Sequence, residues 1–76
     1  MENDNEMIWH EKLDFYKNKK IMVHIKLKDN SFLNASIIER ESEKIWVINE
    51  RKFGIMHLFV SDISKISEFM ENKNNL

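Results

Sequence analysis

Apolar and polar residues alternate along the chain from about residue 19, and no other feature restricts the fold as much. The first alternating run puts aliphatic residues at every second position: Ile21, Val23, Ile25 and Leu27. This spacing is typical of a β-strand that buries one face in a core. Asp29 and Asn30 follow the run, and both residue types tolerate the positive φ angles of tight hairpin turns. The sequence therefore predicts a β-hairpin, whose returning strand puts two residues on the core side and two on the other: Leu33 and Ala35, then Phe32 and Asn34.

Two further apolar runs predict a third and a fourth strand, KIWVIN at 44–49 and IMHLFV at 55–60, joined by a turn that holds the only glycine, Gly54. The segment 61–70 is compatible with two structures. It either turns at Ser61 into a short fifth strand or begins a helix at that residue. The strand is the favoured interpretation, because a sheet of four antiparallel strands would keep an unpaired edge.

The segment from about 5 to 18 has the pattern of a helix. Its apolar residues recur at a spacing near 3.6: Ile8, Trp9, Leu13, Phe15 and Tyr16. Asn3 and Glu6 have the spacing of a pair that caps the start of a helix. We therefore expect an N-terminal helix that packs on the sheet through this apolar face.

The chain has 76 residues, which is enough for one small domain, and we assign 1–76 to it. The domain comprises the helix at about 5–18, a barrel at about 19–69 and a loose tail at 71–76. Strands two to four are apolar on both faces, and the helix can cover only part of the second face. A closed barrel or a contact with another subunit is needed to cover the rest. The pattern predicts a mostly β protein, a small five-stranded bent antiparallel barrel of the SH3-like or Sm-like kind with an N-terminal α-helix.

The stretches IMVHIKLKDNSFLNASI (21–37) and LFVSDISKI (58–66) carry a resemblance that covers nearly the whole chain. In order and spacing they resemble the Sm-like fold, with a layout similar to the Hfq family of bacterial RNA chaperones. The chain also resembles the Rof-like antiterminators that bind Rho, through the three-residue stretches LKD (27–29) and LNA (33–35). The resemblance implies a role in RNA metabolism or transcription, and it implies assembly into a ring of identical subunits.

The residues that hold uridine-rich RNA in the Hfq family are not kept here. That family has a Tyr-Lys-His motif where this chain has Phe59, Val60 and Ser61. Glu43 lies near the place of the family's stacking aromatic residue, and Ala35 takes the place of a glycine in the second strand. The resemblance therefore supports the fold more than it supports a uridine site.

Composition argues against catalysis and against a membrane protein. There are no cysteines, and His10, His24 and His57 belong to three different predicted elements. A single glycine leaves no Gly-rich phosphate loop, so we expect no enzyme, no metal site and no cofactor. No apolar run approaches the ~20 residues that cross a bilayer, and the first residues are acidic where a signal peptide would be basic. We expect a cytoplasmic protein without membrane contact.

The net charge is −1, but the charges are unevenly distributed. The segment 17–28 contains five lysines and no acid, which favours contact with phosphates. The leading hypothesis is a non-catalytic Sm-like regulatory module that binds RNA through this basic strip. Its candidate RNA-binding residues are Lys17, Lys19, Lys20, His24, Lys26, Lys28 and, as a stacking ring, Phe59.

The alternative hypothesis is a protein-binding inhibitor or adaptor, of the Rof-like or phage-regulator type. It depends on exposed apolar residues of strands two to four, which would form a contact patch if they point outward. The candidate interface residues are Phe32, Ile38, Trp46 and Ile48. The partner is then RNA in the first hypothesis and a protein of the transcription or RNA machinery in the second.

Overall fold

The computed structural model describes residues 4–70, with side chains from Glu6 onward. A helix, α1, is followed by five strands and a one-turn 3-10 helix: α1 Asp4–Lys19, β1 Val23–Leu27, β2 Phe32–Arg40, β3 Ile45–Glu50, β4 Gly54–Phe59, the 3-10 turn Val60–Asp62, and β5 Ile63–Glu68. The strands form one antiparallel sheet in the order β4-β3-β2-β1-β5. The mostly β fold with an N-terminal helix is confirmed, and so is the fifth strand. Asn3 of the expected capping pair and the tail 71–76 lie outside the described residues.

The sheet is strongly bent but not closed. Register shifts in the ladder bend β2 between Ile37 and Glu39, and β1 between Lys26 and Leu27. The bend carries Arg51, just after β3, to within 5.2 Å of the Phe69 ring beyond β5, although β2 and β1 lie between those strands. Within the described part of the chain, β4 and β5 are the two edges and do not pair with each other. The predicted barrel is thus an open, barrel-like sheet.

The β1–β2 turn forms at the predicted residues. Asn30 has a φ of 73°, and its N–H donates to the Leu27 carbonyl over 2.9 Å. Asp29 Oδ1 accepts from the Ser31 hydroxyl over 2.6 Å and from the Ser31 N–H over 2.9 Å. These two bonds, the hydroxyl first, lower the pKa of Asp29. The side chain at 29 therefore stabilises the turn while the residue at 30 supplies its positive φ.

The core lies between α1 and the inner face of the sheet, and it contains two of the candidate interface residues. Trp46 is 2% exposed and Ile48 is fully buried. Their register explains this, because Ile48 pairs with Ile37 and Trp46 with Leu58, and residues directly opposite on neighbouring strands share a face. The interface that was predicted to include Trp46 and Ile48 therefore cannot contain them.

Helix α1 packs through a narrower stripe than its sequence predicts. Leu13 is fully buried, and Trp9 and Tyr16 pack partly against the core. Ile8 and Phe15 are exposed, contrary to the prediction. Successive residues of a helix are about 100° apart, so Ile8 lies to one side of Trp9, and Phe15 to one side of Tyr16, outside the packed stripe. No helix within residues 4–70 has the length and apolar character needed to cross a membrane.

Candidate functional site

The outer face of β1 brings polar and aromatic side chains into two neighbouring rows. In one row Lys26 lies opposite Phe32 of β2 and opposite Lys65 of β5. In the next row His24 lies opposite Asn34 and Ser67. Directly opposite residues on antiparallel strands have Cβ atoms about 5 Å apart, so each row is a contact group. Part of the predicted basic strip therefore shares a face with an aromatic ring.

His24 and Phe32 form a stacked pair on this face. Their ring centroids are 4.7 Å apart with 22° between the planes, and Phe32 is 51% exposed. His24 Nδ1–H donates to Asn34 Oδ1 over 2.5 Å, which fixes the plane of the imidazole. The hydrogen bond therefore holds a half-exposed aromatic platform in one orientation.

Glu50 attaches the β3–β4 turn to this face. Its Oε2 accepts from the Asn34 N–H over 3.0 Å, and its Oε1 accepts from the N–H groups of Lys52 and Phe53 over 2.7 and 3.0 Å. The carboxylate is buried, yet the hydrogen bond from Asn34 and then those from Phe53 and Lys52 outweigh desolvation and lower its pKa. Arg51 N–H also donates to the Asn34 carbonyl over 2.9 Å. Two hydrogen bonds thus fix the turn to β2, and the two from Lys52 and Phe53 hold its own shape.

The fixed turn projects cationic and aromatic side chains beside Phe32. Gly54 closes the turn with a φ of 81°, a conformation that side chains rarely adopt. Phe53 is 70% exposed, and a surface groove of about 530 Å³ lies between the turn and β2. The residues of the outer face and the turn form one area, which we call the aromatic–cationic surface: His24, Lys26, Phe32, Asn34, Arg51, Lys52, Phe53, Lys65 and Phe69.

The charge of the aromatic–cationic surface is positive although the whole chain is weakly acidic. It carries four permanent cations: Lys26, Arg51, Lys52 and Lys65. Two acids border it, and of these Glu50 is buried and bonded to backbone N–H groups, whereas Glu68 is exposed. Exposed rings next to cations can stack on bases while the cations neutralise phosphates. Such an arrangement has the chemistry to bind single-stranded nucleic acid.

The structure separates the other lysines of the predicted basic strip from this surface. Lys17 lines a groove between α1 and β2 beside Asp14 and Glu39. Lys19 Nζ lies 5.9 Å from the centroid of the Phe15 ring on the same helix, and Lys20 directly follows that helix. Lys28 lines a groove on the helix side of the sheet. Of the six predicted basic residues, His24 and Lys26 therefore belong to the aromatic–cationic surface.

The remaining predicted residues lie elsewhere on the outer side of the sheet. Phe59 is half exposed on β4, three strands from β1, which corresponds to about 14 Å along the sheet. Ile38 is the extra residue of the β2 bulge and is 38% exposed. Phe32, the other candidate interface residue, is exposed as that prediction requires but lies on the aromatic–cationic surface, where it stacks on His24. An apolar area thus remains near β4, apart from the cationic one.

Sequence reasoning did not name six residues of the aromatic–cationic surface as candidates: Asn34, Arg51, Lys52, Phe53, Lys65 and Phe69. A local signal existed for three of them, since a turn ending in glycine with the sequence RKF exposes two cations and a ring. No local signal exists for the approach of Arg51 to Phe69, because it depends on the bend of the whole sheet.

Among the described residues, no group of three or more histidine and acidic side chains is arranged to hold a metal ion. No known family model matches the sequence, and no curated protein matches it either.

Proposed function

We propose that the protein binds single-stranded RNA through the aromatic–cationic surface, as a non-catalytic regulatory module of RNA metabolism or transcription. The observation that carries the proposal is the placement of two exposed rings, Phe32 and Phe53, around one groove that also contains Arg51 and Lys52. Stacking on aromatic rings accepts any base, and the cations supply attraction to the backbone. The choice of RNA follows from the resemblance to the Sm-like fold.

If RNA phosphates contact the four cations, the affinity should fall with salt concentration by a predictable amount. Neutralising one phosphate of a single strand changes the slope of log K against log[salt] by about −0.7, so four contacts predict a slope of about −3. Lys26→Gln should lower both the affinity and the magnitude of this slope. Lys28→Gln is the matched control, because this lysine lies on the helix side of the sheet. Equal effects of the two substitutions would contradict the proposed surface.

The aromatic part of the proposal is tested by fluorescence anisotropy with a labelled single-stranded RNA. Phe53→Ala should weaken binding about tenfold, since removal of one stacking ring costs about 1–3 kcal/mol. The control is Phe15→Ala, which removes an exposed ring from α1, also beside a lysine. Weaker binding in the control alone would place RNA at the helix end and overturn the proposal. Circular dichroism checks that both variants keep the fold.

A second candidate function is binding of another protein, as an inhibitor or adaptor. It is favoured by the exposed apolar side chains of Ile55 and Phe59 on β4 and of Ile38 on β2, which no described residue covers. A pull-down after nuclease treatment distinguishes the candidates, because a protein partner would persist and an RNA-bridged one would be lost. The ring of identical subunits implied by the resemblance stays a prediction, checked by the mass in solution.

A further inference from the structure

Strand β4 is an edge of the sheet without the features that normally prevent edge pairing. Its sequence is GIMHLF, with no lysine, acid or proline, and Ile55 and Phe59 are 64% and 49% exposed. The other edge, β5, carries Lys65 and Glu68, both exposed. Charged residues on an edge strand discourage pairing with another chain, and an uncharged apolar edge invites it. The two edges therefore differ in their tendency to accept a further strand.

The ends of β4 restrict how another strand can pair with it. Gly54 has a φ of 81° at one end, and the 3-10 turn begins at Val60 at the other. Five residues, 55–59, remain for continuous pairing, and His57 is at their centre. The apolar character of these residues is symmetric about the centre, with Ile55 matching Phe59 and Met56 matching Leu58.

We propose that β4 pairs antiparallel with β4 of a second copy of this chain, around a two-fold axis at His57, to give a continuous ten-stranded sheet. A two-fold axis places Ile55 opposite Phe59 of the partner subunit on the outer face. It places Met56 opposite Leu58 of the partner subunit on the inner face. Each apolar side chain of one copy thus packs against an apolar side chain of the other.

The second copy fits this edge better through β4 than through β5. In a β4–β5 contact, the outer-face residues Ile55 and Phe59 would lie beside outer-face residues of β5 such as Lys65 and Ser67, which are polar. In the β4–β4 contact, the same two residues are covered by apolar groups. At the axis, Glu41 Oε1 lies 2.8 Å from His57 Nε2 and, by hydrogen bonding, orients the imidazole where the two copies meet. Exposed apolar surface and free backbone groups are removed from water together.

The register is tested by single cysteines, since the chain has none of its own. His57→Cys puts the two sulfurs on either side of the axis, where the Cβ atoms are about 5 Å apart. We expect rapid formation of a covalent dimer on mild oxidation. The single variants Ile55→Cys and Phe59→Cys should cross-link about tenfold more slowly. In each of them the two cysteines of the dimer lie about 13 Å apart along the strands. The double variant Ile55→Cys, Phe59→Cys should cross-link again.

Light scattering on the unmodified chain gives the second measurement. The expected mass is twice 9.2 kDa at millimolar protein concentration, and Phe59→Lys should return it to that of one chain. Lys65→Ala on β5 is the control and should leave the dimer intact. A single-chain mass at that concentration, a mass of three or more chains, or equal cross-linking at 55, 57 and 59 would overturn the proposal.

Discussion

At the scale of single residues, the end of α1 shows a backbone conformation that its own side chain disfavours. Lys20 has a φ of 59°, and its N–H donates to the Lys17 carbonyl over 3.2 Å. The Ile21 N–H donates to the Tyr16 carbonyl over 3.1 Å. This pair of bonds is the Schellman arrangement, which commonly has glycine at the left-handed position. The lysine therefore stores strain that a glycine would relieve.

We predict that Lys20→Gly stabilises the protein by about 1 kcal/mol, because the left-handed conformation costs a side chain about that much. Urea denaturation followed by circular dichroism measures the difference. Lys19→Gly is the control and should destabilise, since that residue is still helical. No gain for Lys20→Gly would show that the side chain at 20 makes compensating contacts.

Glu50 is the residue whose ionisation contributes most clearly to the site. We predict that Glu50→Gln destabilises the protein by about 2 kcal/mol at neutral pH, because the amide replaces charge-assisted bonds from three N–H groups. The folded-state pKa is below the ordinary 4.5, so this contribution is complete above that value and is lost as the pH falls through the lowered pKa. Denaturation at pH 7 and pH 3 should therefore show the difference between wild type and variant shrinking in acid. A constant difference would contradict the role of the charge.

At the scale of elements, α1 is attached to the sheet through a narrow stripe of side chains. Leu13 is the fully buried residue of the stripe, and Trp46 Nε1–H donates to His10 Nδ1 over 2.9 Å. The exposed Ile8 and Phe15 add little to this packing. The stability of the helix on the sheet therefore depends mainly on Leu13, with further contributions from the packing of Trp9 and Tyr16 and from the Trp46–His10 hydrogen bond.

Two truncations on the same helix test this dependence. We predict that Leu13→Ala lowers the free energy of unfolding by about 2–5 kcal/mol, as expected for a buried leucine. Phe15→Ala, the larger truncation, should cost less than about 1 kcal/mol because its ring is half exposed. Denaturant titration of both variants gives the comparison, and a larger loss for Phe15→Ala would contradict the observed helix face.

At the scale of the whole molecule, a chain of 76 residues with an open sheet has little core to stabilise it. A dimer through β4 would couple folding to association, so the unfolding temperature should rise with protein concentration. We predict a rise of roughly 3 to 5 °C for each tenfold increase in concentration, if the dimer separates only on unfolding. Ile55→Lys should abolish this dependence. Thermal scans at several concentrations measure it, and a concentration-independent midpoint for the wild type would count against coupled folding.

Much of the fold follows from local chemistry in the sequence. Alternation and apolar runs predicted the first four strands, Asp29 and Asn30 predicted the β1–β2 turn, and the helical spacing predicted α1 within one residue at each end. Trp46 and Ile48 were misplaced because strands apolar on both faces do not reveal which face is buried. The buried face of α1 was also predicted too wide, because it included Ile8 and Phe15. Spacing alone does not show where the sheet contacts the helix.

The sequence by itself determined the helix and the first four strands, because those choices depend on the period of apolar residues and on turn residues that act locally. The segment 61–70 stayed open between strand and helix. Only the tertiary structure decided which functional groups meet. The separation of Lys17 and Lys28 from Lys26, and the approach of the RKF turn to Phe32, depend on strand order and on the bend of the sheet. Both result from contacts between residues far apart in the chain, for which a single sequence contains no local signal.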